Sequence, residues 1–456
     1  MRRKLLILCL FLGVSASAQT AWQEVQALPS RVDGICEIYP TPSGSLTPAP
    51  KGYEAVYLSH YGRHGSRFSH RDDYYSDPRK MLEAADSAGV LTPLGKSVLS
   101  RLRVQYALAK DHIGELTEVG EREHRAIAER MVRNYPSVFR DGARVDCRST
   151  ASPRVVLSMA AGNERMKELC PGLVLTRSAS ESYQELGASY PMVGRDSIYR
   201  RCYELIAARF DRKSFVNKLF TDPSYAERIP RLDRDAWHLY FSAANYRCMG
   251  GTGTEYEDIL PLEEMFVFWE ATNYLLYSSC SNSPFNSRAV MNCARRMVKD
   301  ILDRADAALA GQALPAPAGY AGAAVHDADL RFGHDVYIIP LAALLGLSGA
   351  YYADPYTTKD KWRYYAVSPM SANVQLVFYA PKKAVRQRHR ALDRGGEATA
   401  LPSGEILVKV LLNEEERTLE TPGGHGLPAA PVPVDGPYYR WPELRAWLET
   451  LAGWPF

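Results

Sequence analysis

The stretch Val56-Tyr57-Leu58-Ser59-His60-Tyr61-Gly62-Arg63-His64-Gly65-Ser66-Arg67 brings an apolar-leaning strand to an end on an Arg-His-Gly-x-Arg turn. Ligands bind where strands end in α/β sheets, and this strand end carries a nucleophile among anion ligands. A neutral imidazole can attack phosphorus and form a covalent phospho-enzyme, which divides one difficult displacement into two easier ones. Arg63, just before His64, and Arg67, three residues after it, can clamp the phosphoryl oxygens. Guanidinium is planar, permanently charged and able to bind two oxygens of one phosphate. Gly65 lets the backbone pass close to an anion.

Outward from this turn the pattern is strand, turn, helix, strand. Residues 54–61 form the first strand, and 117–135 form an amphipathic helix with Ala126, Ile127, Met131 and Val132 on one side. Residues 144–147 lead into a second strand, and Val155, Val156, Met159 and Ala160 continue a helix after Pro153. Such alternation predicts an α/β architecture, a mostly parallel sheet flanked by helices. Between about 170 and 325 the strand signals fade, while helical periodicity recurs at 205–219, 262–277 and 287–309. This reads as a helical insertion, with the Ala/Pro/Gly-rich 310–324 as the linker back to the sheet. Residues 421–437, rich in Gly and Pro, read as a surface loop before a terminal helix at 441–451. No fixed-period repeat is present. Leu91-Thr92-Pro93-Leu94-Gly95 imitates Leu116-Thr117-Glu118-Val119-Gly120, either by coincidence or as a second capped helix start.

Two further stretches carry related chemistry: Arg148-Ser149-Thr150-Ala151-Ser152-Pro153-Arg154-Val155-Val156 and Arg331-Phe332-Gly333-His334-Asp335. In this order and separation the three stretches resemble the histidine acid phosphatases. These form the large branch of the histidine phosphatase superfamily, which includes phytases and multiple inositol polyphosphate phosphatases. Leu116-Thr117-Glu118-Val119-Gly120 looks like the family's Leu-Thr-x-x-Gly helix start. Asn373-Val374-Gln375-Leu376-Val377-Phe378-Tyr379 and Val408-Lys409-Val410-Leu411-Leu412-Asn413 look like its late core strands. The resemblance implies a phosphatase core from 19–165 and 325–456, with 166–324 as a helical cap and linker. It implies His64 as nucleophile, Arg63, Arg67, Arg154 and His334 as phosphate ligands, and Asp335 as the acid that protonates the leaving alkoxide, with no cofactor and no metal. Arg148 competes for the role of third arginine, but Arg154 opens the small-apolar helix and is preferred. A nearby dianionic phosphate and partial burial should raise the pKa of Asp335, which predicts activity at acid pH.

Residues 1–18 read as a secretory signal. Arg2, Arg3 and Lys4 precede an apolar run from Leu5 to Val14, and Ala16-Ser17-Ala18 offers a cleavage site. The product is expected to be exported, to the periplasm or the medium, with no integral membrane segment after cleavage. Seven cysteines follow the signal, so an oxidising compartment would leave at least one thiol free. The formal charge of +3 resides in the signal, because without it basic and acidic residues are equal at 52 each. Bulk charge therefore cannot steer an anion, nor does it suggest nucleic acid as a partner; the expected partner is a small-molecule phosphate ester.

Several features read as ordinary structure. The arginines from Arg122 to Arg154 are a candidate for a local field that steers an anion, but all except Arg154 read as a solvated helix face, interleaved with Glu118, Glu121, Glu123 and Glu129. Gly250-Gly251-Thr252-Gly253-Thr254 lacks the Gly-Lys-Ser/Thr ending of a phosphate loop. His326, Asp327 and Asp329, and His60 and His70, show no metal-ligand spacing.

The substrate signals diverge. Ser66 matches the inositol polyphosphate phosphatases, but Phe68-Ser69 replaces the frequent aromatic-proline continuation. His334-Asp335 is the pattern of acid phosphatases and many phytases, where the inositol polyphosphate branch carries His-Ala-Glu. Arg71, Arg79 and Lys80 follow the nucleophile turn and could meet extra phosphates, which favours an inositol polyphosphate such as phytate. The alternatives are a broad-specificity acid phosphatase and a non-catalytic phosphate-binding protein. The presence of both His64 and Asp335 argues against the latter.

Overall fold

Strand β1 (Tyr53–Arg63) is buried along all but its first two residues, as a strand covered on both faces must be. The structure, a computed structural model, describes residues 19–42, 44–183, 186, 192–316, 322–394 and 396–456. The expected signal and part of the expected linker lie outside the described residues. Around β1 are β2 (Arg144–Ser149), β3 (Val174–Ala179), β4 (Ala328–Gly333), β5 (Asn373–Pro381), β6 (Leu407–Leu412), β7 (Glu415–Glu416) and β8 (Tyr438–Arg440). They form one eight-stranded sheet in the order β8-β6-β5-β1-β4-β2-β3, with β7 paired to β6.

The sheet is parallel through β1, β4, β2 and β3, where the connections are long and helical. It is antiparallel through β5, β6 and β8. The turn between β6 and β7 holds Asn413 and Glu414 at φ 54° and 63°, the left-handed geometry that a two-residue hairpin demands. In the parallel half, Arg63 is in register with Gly333, and Ser149 with Phe332. Residues 64, 150 and 334 therefore leave the sheet side by side at its carboxyl edge.

Each face has its own core. On one face the helices Glu118–Asn134 and Pro153–Leu169 pack Ile127, Met131, Val155 and Met159 over Leu58, Val145 and Leu330. On the other, Ser287–Ala310, Asp335–Leu344 and Trp441–Gly453 pack Met297, Ile301, Ile338 and Leu448 over Tyr57, Val374 and Phe378. A second body of helices gathers around Leu82, Leu99, Ile206, Trp237 and Phe268. It draws on Asp73–Ser87 and Pro93–Ala109 as well as on Arg195–Arg209, Leu232–Tyr246 and Leu262–Cys280. The stretch 166–324, expected as one insertion, is thus divided. It gives β3 to the sheet and Ser287–Ala310 to a sheet face, and its remaining helices share a core with segments that precede it.

One local expectation changes, and one left open is decided. The helix expected over 205–219 is broken, because one helix ends at Arg209 with Phe210 as its cap, and the Asp211 side chain accepts from Ser214 N at 2.9 Å to start the next. Thr92 caps its helix through Gly95 N at 2.9 Å, so the imitation of the Thr117 motif is a second capped start. The seven described cysteines are buried thiols. Among the described residues no helix is long and apolar enough to cross a membrane.

Candidate active site

The nucleophile turn is held by backbone on both sides. His64 N donates to Gly333 O at 2.9 Å, and Ser371 N donates to His64 O at 3.0 Å. Beneath it runs the start of the helix Glu118–Asn134, with Thr117 N donating to Ser66 O at 2.9 Å. A Cβ on Gly65 would meet Gly120 Cα at 2.6 Å, and one on Gly120 would meet Ser66 N at 2.6 Å. The two glycines are needed for each other: Gly65 makes room for a neighbouring helix rather than only for an anion. One turn further along that helix, Glu123 accepts from Ser66 N (2.9 Å), Ser66 Oγ (2.7 Å), Ser371 Oγ (2.7 Å) and Tyr39 N (2.9 Å). A single carboxylate ties the turn to the loop before β5. The surface-helix reading of the Arg122–Arg144 region hid this residue, because its acidic neighbours do face solvent.

His64 is buried, and its Nδ1 lies 2.9 Å from Gly65 O. A carbonyl only accepts, so Nδ1 carries the proton and Nε2 keeps its lone pair. Burial and then Arg67, Arg63 and Arg154 hold the ring neutral, well below the usual histidine range. The ring of His334 stands 5.6 Å away at 71°.

The three arginines differ in how they are held. Arg63 is fully buried, and its Nη1 and Nη2 donate to Ser368 O (2.7 Å) and Ile35 O (3.1 Å). Arg67 donates to Phe68 O (3.0 Å) and to His70 Nδ1 (3.1 Å). Since guanidinium only donates, His70 Nδ1 must accept. Burial first, then the positive charge of Arg67, pushes that histidine down to about 4. Arg154, in the first turn of Pro153–Leu169, is pushed down to about 10 by burial and by Arg67 and Arg63. On all three arginines Nε is buried and without a hydrogen-bond partner. Such groups are costly unless an anion meets them.

His334 caps the helix Asp335–Leu344; its backbone N donates to Tyr61 Oη at 3.2 Å and its Nε2 lies 3.2 Å from Thr150 Oγ1. Burial, followed by Arg154, pushes its ring down to about 4. Asp335 departs from expectation. Burial alone would raise it, but Arg63, Arg67 and the Tyr364 hydroxyl outweigh burial and hold the carboxyl well below the usual range. Arg63 Nη2 stands 3.3 Å from Asp335 Oδ2, and Tyr364 Oη donates to the same oxygen at 2.9 Å. The arginine field favours the carboxylate. Tyr364 and Glu123 escaped the sequence reading, since each belongs to the site only through contacts that no local motif encodes; Thr150 and His70 lie within or just beyond the motif stretches, which assign them no role.

The other candidates sit elsewhere or are engaged. Arg148 pairs with Asp300 at 2.7 Å. Arg71 pairs with Asp73, and Arg79 with Glu83 at 2.6 Å while stacking on Tyr106; Lys80 is exposed. Asp146, His326 and Asp329 come together, but Arg304 bonds both carboxylates, at 3.0 and 2.6 Å, and occupies the place a cation would take. Asp327 accepts from Arg144 N, and His60 packs on Phe332. In the Gly250 to Thr254 loop, the N–H groups of Thr252 and Gly253 donate to Glu255, so they are spent internally.

No protein-family model matches the chain, and no curated protein matches it. Solved structures do share its fold. The Bifidobacterium longum multiple inositol polyphosphate phosphatase in complex with phosphate is 20% identical with a TM-score of 0.66, over 93% of this chain and 98% of that one. The same phosphatase in complex with inositol hexasulfate gives 20% and 0.62 over 92% and 97%. The phytase from D. castellii is 14% identical with a TM-score of 0.59, over 93% and 85%.

Proposed function

We propose that the chain is an exported phosphomonoesterase that hydrolyses phosphate esters through a phosphohistidine at His64, with inositol polyphosphates such as phytate as substrate. One observation carries the reading. Arg67, Arg63 and Arg154 all bear on one buried histidine whose Nδ1 is committed to Gly65 O and whose Nε2 is left with a lone pair.

In the first step Nε2 of His64 attacks phosphorus and the P–O bond to the leaving alkoxide breaks. Arg63, Arg67 and Arg154 compensate the charge on the equatorial oxygens, and the neutral His334 ring contacts the phosphoryl group. Asp335 gives its proton to the leaving oxygen. In the second step the Asp335 carboxylate takes a proton from water as it attacks phosphohistidine, restoring His64 and the acid. Because Asp335 is ionised in the free site, the proton arrives with a monoanionic substrate. The second body of helices acts as the cap over this face.

The substrate class is supported by the inositol-phosphate enzymes that share the fold. A second reading, a broad acid phosphatase on simple phosphomonoesters, is favoured by the ion pairs that occupy Arg71 and Arg79. Initial rates on phytate and on simple alkyl and aryl monoesters at several pH values decide between them. A kcat/KM at least tenfold higher for phytate supports the first reading, and equal values support the second. No turnover of any ester, with phosphate still bound, would leave the non-catalytic binding protein.

A further inference from the structure

We infer that Tyr364 is a positioning residue that dictates which oxygen of Asp335 carries the proton to the leaving group, a reading that rests on the donor role proposed for Asp335. Tyr364 opens the short helix Tyr364–Val367 and is 1% exposed. Its backbone N donates to Asn273 Oδ1 at 2.9 Å, and the Arg63 guanidinium lies over its ring at 5.9 Å. The phenol is therefore fixed in place before substrate arrives.

Its hydroxyl donates to Asp335 Oδ2 at 2.9 Å, and Arg63 Nη2 faces that same oxygen at 3.3 Å. Among the hydrogen bonds of the described residues, Oδ1 receives the neighbouring Val336 N–H, at 2.9 Å. A proton on Oδ2 would point at two groups that themselves donate, so the acid form carries its proton on Oδ1. Burial holds the phenol protonated far above its ordinary range, so it remains a donor throughout the working pH. The charged and titratable groups facing Asp335 are Arg63 and Arg67 from the nucleophile turn, Arg154 from its helix, and His334, His70, Tyr61 and Tyr364. Of these, Tyr364 alone gives the carboxylate a hydrogen bond without adding charge. Removing its hydroxyl leaves the arginine field intact and frees the carboxyl to choose between its two oxygens.

The test is Tyr364→Phe, which keeps the ring under Arg63, with unfolding midpoints measured to verify folding. The hydroxyl is a hydrogen bond to an ionised group, so its loss should move the high-pH limb of kcat for an alkyl phosphate, which reports the proton on Asp335 in the enzyme–substrate complex, upward by about one pH unit, while the limb of kcat/KM, set by the second proton of the ester, stays in place. Alkyl turnover should fall about tenfold or more, while phosphorylation of His64 by an aryl phosphate with a good leaving group stays within about twofold. In an Asp335→Asn background the same substitution should produce no further change in the ratio of alkyl to aryl rates. Equal losses on both esters, or an unmoved ratio and limb, would overturn the inference. Should Asp335→Asn alone fail to separate the two leaving groups, the donor assignment fails first, and the role of Tyr364 falls with it. A Tyr364→Phe result that fails while Asp335→Asn behaves as expected counts against Tyr364 alone.

Discussion

Replacing Asp335 with asparagine removes one negative charge from a site bordered by three guanidinium groups while preserving side-chain volume. Two effects of opposite sign follow. Arg63 Nη2 lies 3.3 Å from Asp335 Oδ2, and Arg63 is fully buried. At that separation a charge pair is worth between about 1 kcal/mol in a water-like dielectric and about 5 kcal/mol at an effective value near 20. An entering phosphate no longer competes with the carboxylate for Arg63. Inorganic phosphate should therefore inhibit Asp335→Asn at least about tenfold more strongly, taking the low end of that range. The amide cannot give a proton, so turnover of alkyl and inositol phosphates should fall by about two to four orders of magnitude. An aryl phosphate needs little protonation, and its phosphorylation step should be largely spared. Phosphate inhibition constants and rapid-quench phosphorylation rates, measured on one preparation with both ester types, separate the two effects. Weaker phosphate inhibition, or equal losses of phosphorylation rate on alkyl and aryl esters, would refute the reasoning.

Gly120→Ala should lower the unfolding midpoint and kcat together, because its Cβ would stand 2.6 Å from Ser66 N; overpacking of this kind typically costs about 1–3 kcal/mol. Gly162→Ala is the control: its nearest neighbour would be 3.7 Å away, so it should be neutral or stabilising, and similar losses in both variants would contradict the account. His64 is held neutral well below its usual range and His334 down to about pH 4, so kcat/KM should show no decline between about pH 6 and 4.5. Above about pH 6, where a phosphate ester loses its second proton, kcat/KM should fall because the depressed Asp335 cannot replace that proton. A loss on the acid side centred near pH 6.5 would show His64 titrating normally. Activity should survive exhaustive chelation, and a loss restored by a divalent ion would contradict a reaction carried by His64 and Asp335 alone.

The site is legible in sequence where strand end and chemistry coincide within a few residues. Arg63, His64 and Arg67 lie in one turn, and Arg154 opens a helix that Pro153 announces. The parallel half of the sheet follows from alternating strands and helices. Its antiparallel half rests on β5 pairing with β1, β6 with β5 and β8 with β6, across long connections that no periodicity announces. The helical body is illegible for a different reason: Leu82 and Leu99 look like any amphipathic pair, and only long-range packing joins them to Trp237 and Phe268. The expectation of a raised pKa for Asp335 counted burial and a neighbouring phosphate but not the arginines. Its burial was expected, but the weight of Arg63, Arg67 and Tyr364 on one carboxylate emerges only when residues 272 and 268 positions before Asp335 and 29 after it meet there. Glu123 and Tyr364 belong to that same class, polar residues whose partners come from other segments.

The claim that His64 is phosphorylated is tested most directly by rapid acid-free quenching of the enzyme with phosphate-labelled substrate, followed by peptide mapping. The account predicts an acid-labile, base-stable phosphoryl group on the peptide containing His64, formed at a rate no slower than turnover and absent from His64→Ala. Turnover without any phosphoryl-enzyme, or label on another residue, would contradict it.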